Sequence, residues 1–383
     1  MGTIRGRGDE LYIIRKILSF GVSKEYYGIL AVCLACAIAV LELQIIIAAI
    51  LIYNKNGTWK ALTPYFTIAT LIQPACAGML ILITILPKLE NMLDTITENS
   101  RELVYLDKLF ETGVKKDVKN IKILSAAIII ISFTAHLIFA MPSVFNDYDI
   151  HMIYWLTREY CEAPLTAIMS WISSASLLIG SFSVAYPLIF FAYFKFHICL
   201  QLRWIATYLE QRFTITAKHE SYNIQNKAYH DMVSTELKSA IKYSLIVEKS
   251  FKLLLDIQNF WMLLISPSGM IAGAGIIYFI AIDIRPDTNY RIFYALFEVV
   301  VMEVSFGSFG QNIYDESTKL EDVLYHSPWI YWNQKNKKAL LLILLFRKGL
   351  VLSFFNLVDV NHEVLITHCR VLYSIVAVVV NYK

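Results

Sequence analysis

The side chains that could do chemistry in this sequence are few, and they stand apart from one another. No nucleophile is spaced to a base, no glycine-rich loop is set to cradle a phosphate, and no His-Glu-x-x-His run is present to hold zinc. His136 stands alone in an apolar run, while His197, His219 and His230 are scattered over one polar stretch. His362 and His368 are six apart, a spacing that does not put both on one helix face. Cys33-x-x-Cys36 has the spacing of a redox or zinc pair but lies in an apolar run without further ligands. The six cysteines fall mostly in or beside such runs, so no disulfide framework is implied. What remains is a set of polar groups embedded in apolar sequence: Gln73, His136, Glu298, Glu303 and Arg370. Such groups are costly in lipid unless used or paired. They point to recognition and ion pairing rather than catalysis, so no enzyme, metal or cofactor is expected.

The elements that must position these groups follow from composition. The chain has 383 residues, 57% hydrophobic and 17% charged, with a mean hydropathy of +0.54. A soluble domain carries about a quarter charged residues, and apolar runs of about 18 or more mark membrane helices. The sequence therefore predicts an all-α membrane protein forming a single seven-helix domain over residues 1–383. Its transmembrane helices are expected at about 28–53, 63–86, 123–145, 165–194, 253–282, 292–310 and 360–380. A net charge of +3 with no concentrated basic patch excludes a nucleic-acid binder. The N-terminus begins charged and shows no apolar signal-peptide core.

Lysine and arginine set the orientation. Of the 34, 27 lie in residues 1–27, 87–122, 195–252 and 311–348, and six in the alternate segments. The basic set is cytoplasmic by the positive-inside rule, which puts the N-terminus inside and the C-terminus outside. Asn56-Gly57-Thr58, the one glycosylation sequon, then lies outside, with Asn56 as its acceptor. G-protein-coupled receptors have the opposite orientation, and the sequence lacks a DRY-like triplet and an NPxxY-like motif. Within the long loops, Leu202, Ile205 and Leu209 form one helical apolar face, and Leu237, Ile241 and Leu245 another. These helices are expected to extend the spans into the cytoplasm.

The C-terminal stretch carries the most specific pattern. Past Gly310, where a membrane helix is expected to end, comes a charged helical link with Asp315, Glu316, Lys319, Glu321 and Asp322. Trp329, Tyr331 and Trp332 form an aromatic cluster suited to a membrane–water boundary. A short apolar run, Ala339 to Phe346, stops at Arg347, Lys348 and Gly349 and leads into the last helix. Gly310, Ser317, Leu324-Tyr325, Trp329, Lys337 to Leu345 and Tyr373-Ser374 together resemble the C-terminal signature of the insect odorant receptors. Gly307 stands where that family often has Cys, and Gly349 where it has Pro. The gustatory receptors of the same superfamily are the near alternative. Their Thr-Tyr, five hydrophobic residues and Gln-Phe are matched only in part by Ser374-Ile375, Val376 to Val380 and Asn381-Tyr382. A metabotropic seven-helix receptor is the alternative of a different class.

The resemblance implies a plasma-membrane odorant receptor of an olfactory sensory neuron. Such a subunit binds a small, mostly apolar volatile and opens a non-selective cation channel in a heterotetramer with the family's shared co-receptor. An anchor built from the inner parts of spans four to seven holds the subunits around the pore. The implied ligand pocket, in the outer half of the membrane, contains Phe66, Thr70, Gln73, Phe133, His136, Leu137, Ala140, Ile172, Tyr290 and Tyr294. The implied pore and gate face of the last helix contains Ser374, Val378, Asn381 and Tyr382. Separately, Arg370 and Glu303 come to depths within roughly 3 Å of each other at the helical rise per residue, which predicts an ion pair between the last two helices, with Glu298 as the second choice of partner. The alternative is that Arg370 meets water in the inner vestibule or marks a span boundary placed elsewhere.

Overall fold

The computed structural model of the chain describes residues 11–19, 27–58, 62–101, 108–140, 156, 159–160, 162–219, 226–282, 286–346, 349–355 and 357–381. Within these, the helices are α1 (Tyr12–Leu18), α2 (Tyr27–Asn56), α3 (Thr63–Arg101), α4 (Lys108–Ala140), α5 (Ala163–His219), α6 (Lys227–Ile282), α7 (Pro286–Tyr325), α8 (Gln334–Phe346) and α9 (His362–Asn381). A single 3₁₀ turn, Trp329–Tyr331, joins α7 to α8. A two-residue hairpin, β1 (Ser353–Phe354) and β2 (Val358–Asp359), precedes α9.

Five of these helices are long and apolar enough to cross a membrane among the described residues. A sixth is α3 if its two halves, bent by 73° between Ile85 and Pro87, count as one. Pro87 supplies the cause of the bend, because it has no N–H to donate and its ring clashes with the preceding turn. The expected cytoplasmic extensions are present as helix. The 57 residues of α5 rise roughly 85 Å, against an apolar bilayer thickness of about 30 Å. The charged stretch after Gly310 is likewise the unbroken second half of α7 rather than a separate link.

The α5 helix is the hub of the bundle. It packs against α2, α3, α4, α6 and α7, and Phe190, Phe191, Tyr193 and Phe194 are all but sealed from solvent around it. A helix apolar on every side belongs in the middle of a bundle. Its contact with α3 includes two points of very close approach. A methyl group added at Gly78 of α3 would lie 2.5 Å from the Ser183 carbonyl oxygen, and one added at Gly180 of α5 would lie 2.9 Å from the Ala75 Cβ. Small residues let the two backbones meet, and the Ser183 hydroxyl, 2.7 Å from the Gly180 carbonyl of its own helix, shares its proton with the Ala75 carbonyl across the gap at 3.2 Å. Of the two predicted apolar faces, Leu202, Ile205, Leu209 and Leu237 are buried, but Ile241 and Leu245 are exposed.

Further along α5, a charged clamp replaces apolar packing. Arg203 donates to Asp117 of α4 at 2.6 Å and to Glu316 of α7 at 2.8 Å, and Lys319 adds a contact to Glu316 at 3.1 Å. Burial pushes the Glu316 carboxyl up, but Arg203 and Lys319 more than reverse this and hold it below the usual carboxylate range.

The aromatic cluster divides. Trp329 and Tyr331 are partly exposed, whereas Trp332 is buried, packs on Phe213 and donates its indole N–H to the Tyr229 hydroxyl at 3.1 Å. Trp332 is therefore a core residue joining the α7–α8 turn to α5 and α6, not part of a boundary belt. Its single polar atom finds a partner on α6, which is what permits full burial.

Gly310 also has a different part from the one expected. The helix runs through it, and a methyl group there would fall 1.9 Å from the Val360 carbonyl oxygen. The residue gives the chain ahead of α9 room to touch α7. Asn361 then starts α9, its side-chain oxygen accepting the backbone N–H groups of Glu363 at 2.9 Å and Val364 at 3.3 Å.

The α3–α5 crossing predicts a clean asymmetry among glycines. Gly78→Ala should destabilise the purified protein by about 1–3 kcal/mol, as overpacking does. Gly269→Ala on α6, with nothing within 4 Å, should be neutral or stabilising by up to about 1 kcal/mol. Thermal unfolding in detergent measures both. Equal effects at the two sites would show that the crossing is not tight.

Candidate functional site

Beside the α3–α5 crossing the helices part to leave an internal cavity of about 80 Å³. Its wall comes from five helices: Leu71, Ile72 and Pro74 on α3, His136 on α4, Leu177 and Val184 on α5, Ala272 on α6, and Ala295, Glu298, Val299 and Met302 on α7. The imidazole lies close to the crossing, with its Cδ2 at 4.0 Å from where a methyl group on Gly180 would stand. Nine of these eleven side chains are apolar. The space is about half the roughly 150 Å³ apolar cavity that accepts benzene in a soluble protein. A larger ligand therefore needs the helices to part further.

Two polar residues break the apolar wall. The His136 Nδ1–H donates to the Ser132 backbone oxygen at 2.9 Å, which leaves Nε2 of the neutral ring as an acceptor. Glu298 is 8% exposed and its Oε1 has no hydrogen-bond partner. The Ser132 hydroxyl lies beside Glu298 without closing a hydrogen bond.

Among the described residues predicted for a pocket, only His136 lines this cavity. Thr70 is buried on the neighbouring turn of α3. Gln73 turns the other way and donates to Glu42 of α2 at 3.0 Å, so its polar group serves the α2–α3 contact. Phe133 and Ile172 are largely exposed on the outside of the helices, and Leu137 is half-buried. Tyr294 stands next to Ala295 with its ring edge-on to Phe297. The side chains of Phe66, Ala140 and Tyr290 lie outside the described residues. The α7 side of the wall was legible only through Glu298, an acid inside an apolar run. The apolar members, such as Leu177 and Val184, look like any other core residue until their faces are known.

The predicted ion pair is replaced by another. Glu303 accepts from Nδ1 of His368 at 3.1 Å, joining α7 to α9. Arg370 is exposed and has no carboxylate within ion-pair distance among the described residues. Helical geometry is the reason: two residues turn the helix by roughly 200°, so the face that brings His368 to α7 carries Arg370 away from it. Depth along the helix was right, but rotation about its axis decides the partner.

The remaining predicted positions lie on or near α9. Ser374 is exposed and its hydroxyl donates to the Arg370 carbonyl at 2.9 Å. The side chains of Val378 and Asn381, and the whole of Tyr382, lie outside the described residues. Asn56 ends α2, exposed, with its amide donating to the Ile52 carbonyl at 2.9 Å. Among the described residues, no group of three or more His, Cys, Asp or Glu could hold a metal ion.

Long helices packed around a small, mostly apolar cavity define a polytopic helical membrane protein with an internal space between its helices. No family model matches the chain, and no curated protein matches it. Solved structures do. The insect olfactory receptor OR5 from Machilis hrabei superposes with a TM-score of 0.73 over 94% of this chain and 89% of its own, at 12% identity. The same receptor in complex with eugenol gives a TM-score of 0.68 over 98% of this chain and 100% of its own, also at 12% identity. The chain therefore has the insect olfactory receptor fold.

The α7–α9 contact can be tested by coupling. A double-mutant cycle of Glu303→Ala with His368→Ala, read by thermal unfolding, should show an interaction of about 0.5–1.5 kcal/mol, in the range for polar contacts between membrane helices. The cycle of Glu303→Ala with Arg370→Ala should be additive. The reverse result would restore the Arg370 pair.

Proposed function

We propose that this protein is an odorant receptor subunit which binds a small volatile ligand in the α3–α7 cavity and gates a cation channel. The observation that carries the reading is the pairing of an olfactory receptor fold across almost the whole chain with a mostly apolar cavity between five helices. Such an enclosure, apolar with few polar groups, suits a small volatile molecule. The OR5 receptor was solved with eugenol, a ligand of that kind.

In this reading α9 is the seventh span, the N-terminus is cytoplasmic and the C-terminus extracellular. The cavity then lies in the outer half of the membrane and Asn56 faces outside. The Arg203 clamp belongs to the cytoplasmic anchor. One face of α9 packs on α6 and α7, while Ile366, Val371 and Tyr373 remain exposed. A helix left this open in one chain is suited to line a pore shared between subunits, with Ser374, Val378, Asn381 and Tyr382 toward its outer end. Apolar rings there gate by dewetting. The partner is the shared co-receptor, in a heterotetramer at the plasma membrane of an olfactory sensory neuron. Occupation of the cavity moves α7, and the Glu303–His368 contact passes that movement to α9.

Expression alone and with the co-receptor tests the assignment. Volatile-evoked, non-selective cation current should appear on co-expression, and Val378→Ser or Asn381→Ala should alter its leak or selectivity. Evoked second-messenger signals without such a current would support a metabotropic receptor instead.

A further inference from the structure

We infer that the cavity selects ligands whose head group donates a hydrogen bond, a hydroxyl or an amine, and that Glu298 and His136 are the residues that read it. The inference rests on the cavity being the ligand site. The polar inventory of the wall is unbalanced. Glu298 is more than nine-tenths buried with Oε1 unpartnered, and His136 has committed its one N–H to Ser132, leaving Nε2 to accept. The Ser132 hydroxyl is the nearest donor, and it is already beside Glu298. The rest of the wall is apolar.

A buried carboxyl oxygen without a partner is costly, and beyond the Ser132 hydroxyl the wall offers it no donor, so a guest that donates relieves it. A hydroxyl suits the site in either protonation state of the acid. It donates to an ionised carboxylate, or it accepts from a protonated one while donating to His136 Nε2. An amine, with several N–H groups, reaches both acceptors. An ether or a ketone can at most accept from the protonated acid, meets only acceptors when the acid is ionised, and leaves Nε2 unmet in both states, and a hydrocarbon leaves both residues unmet. Sites built to hydrogen-bond a group discriminate strongly against analogues that lack it, because their own buried atoms are then orphaned.

The test uses four compounds equal in non-hydrogen atoms: 1-hexanol, hexylamine, methyl pentyl ether and heptane. Binding is read as thermal stabilisation of the purified full-length protein, and activity as evoked current with the co-receptor. Hexanol or hexylamine should act at concentrations at least about tenfold below the ether and heptane. Glu298→Leu should erase that gap, chiefly by weakening the donors. His136→Leu, a second variant should the first not fold, should narrow it. If the ether equals hexanol in the native protein, or the ranking survives both variants, the inference is overturned while the cavity stands as a ligand site. Ordered binding without current upholds the inference and overturns the channel reading. No stabilisation by any of the four overturns both.

Discussion

The rest of the structure depends on the contact between two backbones at Gly78 and Gly180. Membrane helices gain little from hiding apolar side chains, since lipid is as apolar as leucine, so close approach and hydrogen bonds must hold them. Here the absence of side chains on two glycines lets α3 and α5 meet, and Ser183 closes the contact with a hydrogen bond to Ala75. Once α5 is fixed against α3, the other helices find their places around it. The aromatic run from Phe190 to Phe194 packs toward α6 and α7, through Trp261 and Phe306. The cavity is the space left where α4 and α7 close over the same crossing.

The polar groups of the bundle then fall into two kinds. Many make a hydrogen bond from helix to helix, even where a second atom of the same side chain, such as Gln44 Nε2 or Gln201 Oε1, stays unmatched. Gln73 meets Glu42, Ser173 meets Gln44, Thr97 meets Tyr193, and His197 and Gln201 share Ser100. These pairs set the rotation of each helix about its own axis, which apolar packing alone leaves loose. A few remain unsatisfied within the described residues, among them Glu298, the Gln258 amide and the Trp261 indole. Gln258 and Trp261 stand a turn apart on α6, both sealed from solvent. Glu298 differs from them in facing a space large enough to take a guest.

Much of the fold was legible because helix formation and membrane length are written in runs of apolar residues, which need no knowledge of partners. The long helical extensions followed from the faces at Leu202 and Leu237 for the same reason. What could not be read was rotation. Gln73 was expected in the pocket and points to α2. Arg370 was matched to Glu303 by depth, yet the helix turns His368 to that place. Trp332 carries the composition of a boundary residue, but a hydroxyl on Tyr229 makes its burial affordable. His136 was found because a lone imidazole in a span must be used or paired. The apolar wall around it was not, because nothing in Leu177 or Val184 distinguishes lining from packing.

The clamp at Arg203 gives α7 a mechanical character. Arg203 of α5 ties Glu316 of α7 to Asp117 of α4, and Lys319 adds a contact within α7 itself, while the other end of the same unbroken helix borders the cavity. At the helical rise, Glu298 stands roughly 27 Å from Glu316 and Glu303 roughly 20 Å. A rod pivoting at the clamp therefore delivers to Glu303 roughly seven-tenths of any sideways displacement imposed at Glu298, by simple proportion of those lengths. With an ordinary hydrogen bond to His368 as the linkage, a shift of about an ångström at the cavity already exceeds the roughly half-ångström spread of normal hydrogen-bond lengths. Under the proposed function, a guest that displaces α7 by that much would make the last helix follow it or let go of it.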